Sequence, residues 1–364
     1  MFLEAIIERL GEGGALALIG VVVGFAFGFM AQRSRFCLRS AVIEFARNVT
    51  GGRLTVWLFA FATAVLATQT LAWTGAFDAS GARQLAARGT LSGAAIGGAL
   101  FGIGMILARG CASRLVVLAA QGNLRSVMAG LMFAVTAQAT WSGGLAPLRT
   151  AISEWWTVDG GTSRDLIARS GIGHGGALVF GAVWLAAAVF WARRQRVPVW
   201  GWAGAIGVGL TIAAAWWATY AMSRLSFDPH PIQSLSFTGP SAEVLTRALF
   251  AGDKPPTFDL GLLPGVVLGS FAAAALFGEL KLEGFHDGAS MRRYMLGAML
   301  MGFGGMLAGG CAVGAGLSGA SVFTITSWVT LCAMWAGAAL TDRLLDQPVL
   351  GVLDQPMPGA ARAA

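Results

Sequence analysis

The sequence predicts an all-α integral membrane protein with an inverted internal repeat. Only 12% of its 364 residues are charged and 56% are hydrophobic, whereas soluble domains carry roughly 25% charged residues. Apolar segments of about 20 residues, the length that crosses a bilayer as a helix, recur nine times. The net charge of +7 would suggest nucleic acid binding in a soluble protein. Here the basic residues lie in loops between apolar segments, so we expect no nucleic acid partner.

The nine apolar segments are predicted to be transmembrane helices. They comprise residues 13–31, 54–75, 91–109, 123–143, 174–193, 199–222, 260–278, 288–308 and 321–340. Four further stretches are too short to cross and are predicted to be half-helices in re-entrant loops: residues 38–48, 112–122, 242–251 and 312–320. No charged residue lies near the centre of any of the nine segments. The carboxylate relay typical of proton-coupled pumps is therefore not expected.

The loop charges predict the orientation of the chain. The loops on the N-terminal side of the membrane carry nine Lys and Arg, and those on the other side carry sixteen. Because cytoplasmic loops are enriched in Lys and Arg, we expect a periplasmic N-terminus and a cytoplasmic C-terminus. Residues 1–12 hold Glu4, Glu8 and Glu12 against the single Arg9, unlike the basic start of a signal peptide.

A repeated motif indicates an internal duplication. Residues 102–112 read GIGMILARGCA and residues 302–312 read GFGGMLAGGCA, with seven of eleven positions matching. The predicted units are a first repeat (1–145), a connecting loop and linker span (146–198), a second repeat (199–341) and a cytoplasmic tail (342–364). The single linker span inverts the second repeat relative to the first. Secondary transporters use inverted repeats to form a site near the middle of the membrane, between the two copies.

The Gly-Cys-Ala sequence that ends one span of each repeat carries the candidate site. Its glycines let the chain turn and approach another segment of backbone closely. The segment after each cysteine begins with free backbone N–H groups, which attract anions together with the helix dipole. The candidate residues are Gly110, Cys111, Ala112, Gly309, Gly310, Cys311 and Ala312, with Cys37 in the arginine-rich RSRFCLR as the third thiol.

Thiols along a narrow path suit a small sulfur-containing anion. An S–H group is a weak, polarisable donor that can bind such an ion and release it again. The alternative is that a cysteine among Gly and Ala only packs as a small apolar residue, which is what we predict for Cys332 in TLCAMW. The arginines beside the first two thiols either gather anions or reach lipid phosphates; they are Arg33, Arg35, Arg39, Arg109 and Arg114.

Neither a metal site nor a cofactor is expected. The four cysteines show no CxxC spacing. The three histidines, His174, His230 and His286, lie far apart and each is in or beside a loop. Metal sites in proteins need clustered ligands, which this pattern lacks.

The chain resembles the YeeE/YedE family of bacterial membrane proteins, which includes thiosulfate uptake transporters. The matching pieces are SRFC (34–37), ARGCAS with GNLRS (108–113 and 122–126), SFTGP (236–240) and AGGCAVGAGLSG with TSW (308–319 and 326–328). They extend over nearly the whole chain. One departure is Arg109, which stands where the first repeat would have the first glycine of a GGC sequence.

The resemblance implies an inverted-repeat helical bundle in a bacterial inner membrane, with re-entrant loops that reach its middle. It implies a relay of thiosulfate past three thiols that match Cys37, Cys111 and Cys311, with Cys311 binding the anion on the outside. The tail after about residue 342 is too short for a fused sulfur-carrier domain. A TusA-like carrier on the cytoplasmic side would therefore be a separate chain.

Three functions remain open from the sequence. The first is a non-enzymatic transporter that passes thiosulfate or another sulfur or selenium species inward without covalent chemistry. The second is a membrane enzyme in which Cys311 and Cys111 form a disulfide or persulfide and transfer sulfur. The third is a structural subunit whose cysteines only pack. The sequence favours the transporter, because no nucleotide, haem or quinone motif accompanies the thiols.

Overall fold

The computed structural model describes residues 2–49, 51–226, 230–250, 255–284 and 288–345. Within these ranges nearly all regular structure is helical, as predicted for an all-α membrane protein. His286 and the predicted tail beyond residue 345 lie outside the described residues.

Each of the nine predicted spans coincides with a helix. These helices are α1 (Phe2–Ser34), α3 (Gly52–Trp73), α5 (Leu91–Leu107), α7 (Leu124–Trp141), α10 (Gly173–Gln195), α11 (Val199–Leu225), α13 (Phe258–Leu276), α14 (Gly288–Leu307) and α15 (Ile325–Leu345). Helix α1 is interrupted at Gly11, whose φ is +70°. The long helices agree with the apolar segments because a chain in hydrocarbon must satisfy its backbone hydrogen bonds internally.

Shorter elements fill the connections. The short helices are α2 (Leu38–Ala46), α4 (Arg83–Ala86), α6 (Ala112–Ala120), α8 (Ala146–Glu154), α9 (Leu166–Ser170) and α12 (Thr238–Leu249). The strands β1 (Gly89–Thr90) and β2 (Thr157–Val158) pair antiparallel. Three of the four predicted half-helices correspond to α2, α6 and α12, although α12 begins at Thr238 rather than 242. The fourth is a π-helical turn over Gly314–Gly319.

Six stretches of the described chain are long and apolar enough to cross a membrane. They are Ile7–Ala46, Gly52–Trp73, Leu91–Ala120, Gly173–Gln195, Val199–Leu225 and Phe258–Leu276. Two of them join a predicted span to the half-helix that follows it. Helices α7, α14 and α15 are not among the six, so nine crossings remain a prediction.

Close helix contacts show the relative directions of the long helices. Helices α1 and α13 run parallel, because Gly20 abuts Phe258 and Gly28 abuts Val266. Helices α5 and α15 are also parallel, with α5 residues 98 and 102 against α15 residues 330 and 334. Helix α11 runs antiparallel to α1. Small residues at these contacts let the backbones approach, which is typical of helix packing in membranes.

Helices α5 and α14 cross at two matching glycine pairs. A Cβ added to Gly97 would lie 2.5 Å from the Gly304 carbonyl oxygen, and a Cβ added to Gly104 would lie 2.5 Å from the Gly297 carbonyl oxygen. The order of the pairs makes the two helices antiparallel. These backbones approach so closely that no side chain fits between them. The crossing positions the two Gly-Cys-Ala sequences, which follow directly after α5 and α14.

Candidate functional site

Three thiols lie at loop–helix junctions in the interior of the bundle. Cys37 is the residue before α2 and Cys111 the residue before α6, while Cys311 lies between the end of α14 and the π-helical turn. All three are free thiols and buried, with at most 7% of each residue exposed. Cys332 instead has an exposed side chain on α15. Cys332, for which the sequence predicts only a packing role, is therefore not one of the buried thiols.

Cys37 and Cys111 lie side by side. Their side chains are close enough to interact directly, and the Cys111 sulfur is 3.4 Å from the Ser113 hydroxyl oxygen. The Arg114 guanidinium acts electrostatically on both thiols, as the sequence suggested for an arginine beside Cys111. The positive charge beside two sulfur atoms provides a place where a small anion can be held.

The Cys311 sulfur accepts two backbone hydrogen bonds. The Phe237 N–H donates to it at 3.3 Å and the Gly314 N–H at 3.4 Å. Because both bonds use sulfur lone pairs, the S–H proton remains available as a donor. The backbone of Phe237, just before α12, therefore holds the thiol in place without using its one donor.

The predicted glycines have distinct roles around the thiols. Gly309 has a φ of +77°, a left-handed conformation that glycine adopts without strain. A Cβ on Gly310 would lie 2.9 Å from the Ala315 nitrogen, so only glycine fits there. Gly110 is less constrained, since a Cβ there would meet Leu115 at an ordinary 3.4 Å. The remaining predicted residues, Ala112 and Ala312, are each 2% exposed and directly follow the cysteines.

Arg109 occupies the position that corresponds to Gly309. It adopts the same left-handed backbone, with φ +55°, which is uncommon for an arginine. Its side chain is exposed, with the guanidinium carbon 5.9 Å from the centre of the Tyr294 ring. The arginine therefore preserves the turn before Cys111 and turns its charge away from the thiols.

A cavity of about 470 Å³ opens beside Cys311. Its walls include the last residues of α14 with Ala308 and Gly309 after them, and the start of α12 with Ser236 before it. Thr326 and Ser327 of α15 also line it. Cys311 does not line the cavity, but two residues close to it in the chain or in space do. Gly309 lies two residues before Cys311, and Ser236 precedes Phe237, whose N–H donates to the Cys311 sulfur. A Cβ on Gly314 would lie 2.6 Å from the Ser236 hydroxyl oxygen. The cavity thus ends about one residue from the thiol.

Four arginines surround this cavity, hereafter the arginine cavity: Arg83, Arg88, Arg149 and Arg164. Among the described lining residues the only acid is Glu154. This excess of positive charge attracts anions, and the surrounding low-dielectric protein strengthens the field.

Arg164 is the most constrained of the four. It donates to the Ala87 carbonyl oxygen and, at 2.6 Å, to the Thr326 hydroxyl oxygen. Burial lowers its pKa to about 10, so it keeps its charge at neutral pH. Its Nε and the Thr238 hydroxyl have no hydrogen-bond partner in the described structure. Both belong to residues that line the cavity, where an anion could complete their bonding.

The sequence did not reveal the arginine cavity. It directed attention to the arginines near Cys37 and Cys111, but one of these, Arg33, forms an ion pair with an acid instead. Its guanidinium binds Glu279 at 3.1 Å and lies 3.5 Å from the centre of the Phe277 ring. The cavity arginines come from loops that are far apart in sequence, so no local motif marks them. The only signal was that all four lie on one predicted side of the membrane.

Known proteins are similar to this chain over most of its length. The family model described as sulphur transport matches residues 33–340. The thiosulfate transporter TsuA of Spirochaeta thermophila is 28% identical over 326 residues, which cover 85% of this chain and 93% of that protein. The thiosulfate transporter TsuA of Escherichia coli is 26% identical over 368 residues, with 89% and 93% covered.

Proposed function

Because the chain belongs to the sulphur-transport (YeeE/YedE) family of membrane proteins, we propose that it takes up thiosulfate or a related small sulfur-containing anion across a bacterial inner membrane. The observation that carries this proposal is the arginine cavity, which ends beside the hydrogen-bonded thiol of Cys311. Both relatives bear the name thiosulfate transporter, which supports a sulfur anion as the substrate.

The first step is the capture of the anion in the arginine cavity. All four arginines belong to loops that the charge count assigns to the periplasmic side, together with the N-terminus. A dianion is drawn in by their charge and exchanges its water shell for fixed donors. The Arg164 Nε and the Thr238 hydroxyl, which lack partners in the described structure, are the donors that an anion would satisfy there.

The second step is transfer to Cys311. The anion leaves the cavity past Gly309 and accepts a hydrogen bond from the S–H group of Cys311. A hydrogen bond from a thiol to a sulfur atom is weak. Weak binding suits transport, because an anion that binds tightly would not move on.

The third step is transfer to the pair of Cys111 and Cys37. These two thiols lie beside Arg114, whose charge is reinforced by the nearby Arg35 and Arg53. The increase in positive charge draws the anion toward the side that the loop charges assign to the cytoplasm. Gly110 and Gly310, whose N–H groups donate to the Met105 and Gly305 carbonyl oxygens, supply the close backbone at the constriction. Ala112 and Ala312 supply the first N–H groups after each thiol. A separate TusA-like carrier could then receive the sulfur compound.

We further propose that the two halves of the chain form inverted repeats crossing the membrane nine times. The glycine pairs of α5 and α14 support this. The contact of Gly97 with Gly304 and the contact of Gly104 with Gly297 are equivalent under the repeat, in which each position of the first half corresponds to the position 200 residues later. The thiol contacts support it too: Cys37 lies beside Cys111, and Phe237, two hundred residues after Cys37, lies beside Cys311. The helix directions described above also fit alternate crossings.

One observation favours a second candidate function. The contact between Cys37 and Cys111 is one that a thiol enzyme would use. In that case attack by a cysteine on thiosulfate would leave a persulfide on the protein and release sulfite. Incubation with thiosulfate followed by intact mass measurement distinguishes the two: we expect no added sulfur atom and no sulfite. An added sulfur atom that turns over would establish the enzyme.

The substrate is tested by uptake of radiolabelled thiosulfate into cells that lack other sulfate and thiosulfate importers. We expect uptake that unlabelled thiosulfate abolishes and that sulfate inhibits weakly, because sulfate lacks the terminal sulfur. Selenium oxyanions are included as competitors. No uptake of thiosulfate, with transport of a selenium species instead, would contradict the proposed substrate.

A further inference from the structure

The described part of the chain has three buried acids. In two of them both carboxylate oxygens accept hydrogen bonds. Asp342 binds Arg47 through both carboxylate oxygens, at 2.7 and 2.8 Å. Glu44 accepts the backbone N–H groups of residues 53 and 54 at 3.1 and 2.8 Å. Each of these carboxylates therefore has donors to both of its oxygens.

The third buried acid, Asp259, lacks such partners. It lies in the first turn of α13 and is 6% exposed. One oxygen accepts a single bond, from the Gln233 amide at 3.1 Å. The structure shows no ion pair to Asp259 and no donor to its other oxygen among the described residues. An acid removed from water without an ion-pair partner is often functional in membrane transporters.

Asp259 lies directly behind the wall of the arginine cavity. The cavity wall includes Gly239, and a Cβ placed on Gly239 would be 3.5 Å from the second Asp259 oxygen. One glycine therefore separates the carboxyl from the space that an anion would occupy. This glycine provides no side chain that would screen the two charges from each other.

Two charged side chains act on Asp259 from neighbouring elements. Arg83 of α4 attracts its negative charge, and Glu243 of α12 repels it. Arg83 also lines the arginine cavity. An ionised Asp259 thus competes with an incoming anion for Arg83, and it repels that anion as well. A neutral Asp259 leaves Arg83 to the anion.

The two histidines of the described chain each have a polar partner. On α1, Glu12 pairs with His230 at 3.1 Å. His174 contacts the Gln69 amide oxygen at 2.9 Å. Neither histidine lines the cavity. Arginine side chains in general lose their proton only at a pH well above the range of the test below.

We propose that Asp259 takes up a proton when an anion binds in the arginine cavity, so that protonation and anion binding strengthen each other. This rests on the proposed uptake of a sulfur anion. Linkage makes the effect reciprocal: the anion favours the protonated acid, and the protonated acid favours the anion by the same factor. Asp259 is a positioning residue, because it acts through Arg83 and the local field rather than by touching the anion.

The coupling has a physical benefit for the capture of the anion. Thiosulfate carries two negative charges, which an ionised carboxylate behind the cavity wall repels. A proton bound at Asp259 removes this repulsion while the anion lies in the cavity. The path requires no oxidant or reductant, since the proton is only bound and released at the carboxyl group.

The test is the KM for thiosulfate uptake into proteoliposomes, with the membrane potential held at zero. We expect the wild-type KM to fall about 10-fold as the external pH is lowered from about 8 to about 5, within the usual range of linked binding effects. Asp259→Asn mimics the protonated acid, so its KM should stay low at every pH. Asp159→Asn, which changes an exposed acid outside the cavity, should behave like wild type.

Several results would overturn the inference. A wild-type KM that does not depend on pH would overturn it, whatever the variants show. An Asp259→Asn variant that is folded but inactive would also overturn it, and so would one that keeps the wild-type pH profile. If Asp259→Asn does not fold, proton uptake by wild type on thiosulfate addition, read with a pH dye at low buffer, decides the question. If the wild-type protein takes up no thiosulfate at any pH, the proposed function itself is contradicted instead.

Discussion

At the scale of single residues, the site depends on a few backbone positions more than on charged side chains. The Cys311 sulfur is held by two backbone N–H groups, and the turn before it needs a left-handed residue at Gly309. The corresponding Arg109 shows that the left-handed turn can be kept by another residue at a cost in strain. Substitutions at these positions should therefore affect the geometry of the thiol before they affect its chemistry.

Gly309→Ala should destabilise the protein by about 1–2 kcal/mol, the cost of a left-handed residue that carries a Cβ. We expect a lower thermal unfolding temperature of the detergent-purified protein and slower thiosulfate uptake. Gly144→Ala is the control, since a Cβ there meets nothing within 4 Å. Equal unfolding temperatures for the two variants would show that the turn does not require glycine.

Arg149→Gln tests the role of charge in the arginine cavity. Arg149 lines the cavity, and its guanidinium has no hydrogen bond or ion pair in the described structure, so loss of this side chain should not disturb folding. We expect the KM for uptake to rise up to about 10-fold at low ionic strength and the difference to shrink in high salt. Arg169→Gln, outside the cavity, is the control. An equal effect of both variants would mean that only net charge matters.

At the scale of elements, the sequence predicted the long helices and missed several short ones. Apolar length alone located all nine long helices, because backbone hydrogen bonding in hydrocarbon leaves few alternatives. Helices α4, α8 and α9 were missed, since they are short and lie in polar loops. Helix α12 begins four residues before the predicted stretch, because its first turn, with Pro240, is less apolar than the segment that was used to find it.

Gly97→Leu should separate α5 from α14 and displace both Gly-Cys-Ala sequences. A side chain there would overlap the Gly304 carbonyl oxygen, and overpacking of this kind costs about 1–3 kcal/mol or more. We expect a large loss of monodisperse protein in size-exclusion chromatography. Gly130→Leu on α7, where a Cβ meets nothing within 4 Å, should leave the yield unchanged. A normal yield for Gly97→Leu would mean that this crossing does not organise the bundle.

At the scale of the whole molecule, the sequence singled out three thiols that the structure buries, but it did not reveal the cavity. The repeat placed Cys111 and Cys311 in equivalent positions, and the arginine-rich RSRFCLR drew attention to Cys37. The arginine cavity is assembled from loops far apart in the chain, and Asp259 lies one residue before the predicted seventh span. Tertiary contacts alone bring these groups together, so no local pattern could reveal them.

The orientation of the molecule can be tested by labelling. In a Cys332→Ala background, a cysteine at Thr162 should react with a membrane-impermeant maleimide added to intact cells whose outer membrane is permeable. A cysteine at Arg194, at the far end of α10, should react only after the inner membrane is opened. The reverse pattern would place the arginine cavity on the cytoplasmic side and contradict the direction of transport.

The most direct test of the central claim is thiosulfate uptake by Cys311→Ala, compared with Cys332→Ala and wild type at matched membrane expression. The account predicts that wild type and Cys332→Ala take up labelled thiosulfate and that Cys311→Ala does not, because Cys311 is the thiol proposed to receive the anion from the arginine cavity. Uptake by Cys311→Ala at the wild-type rate would contradict the relay and leave the Gly-Gly-Cys sequence with a packing role alone.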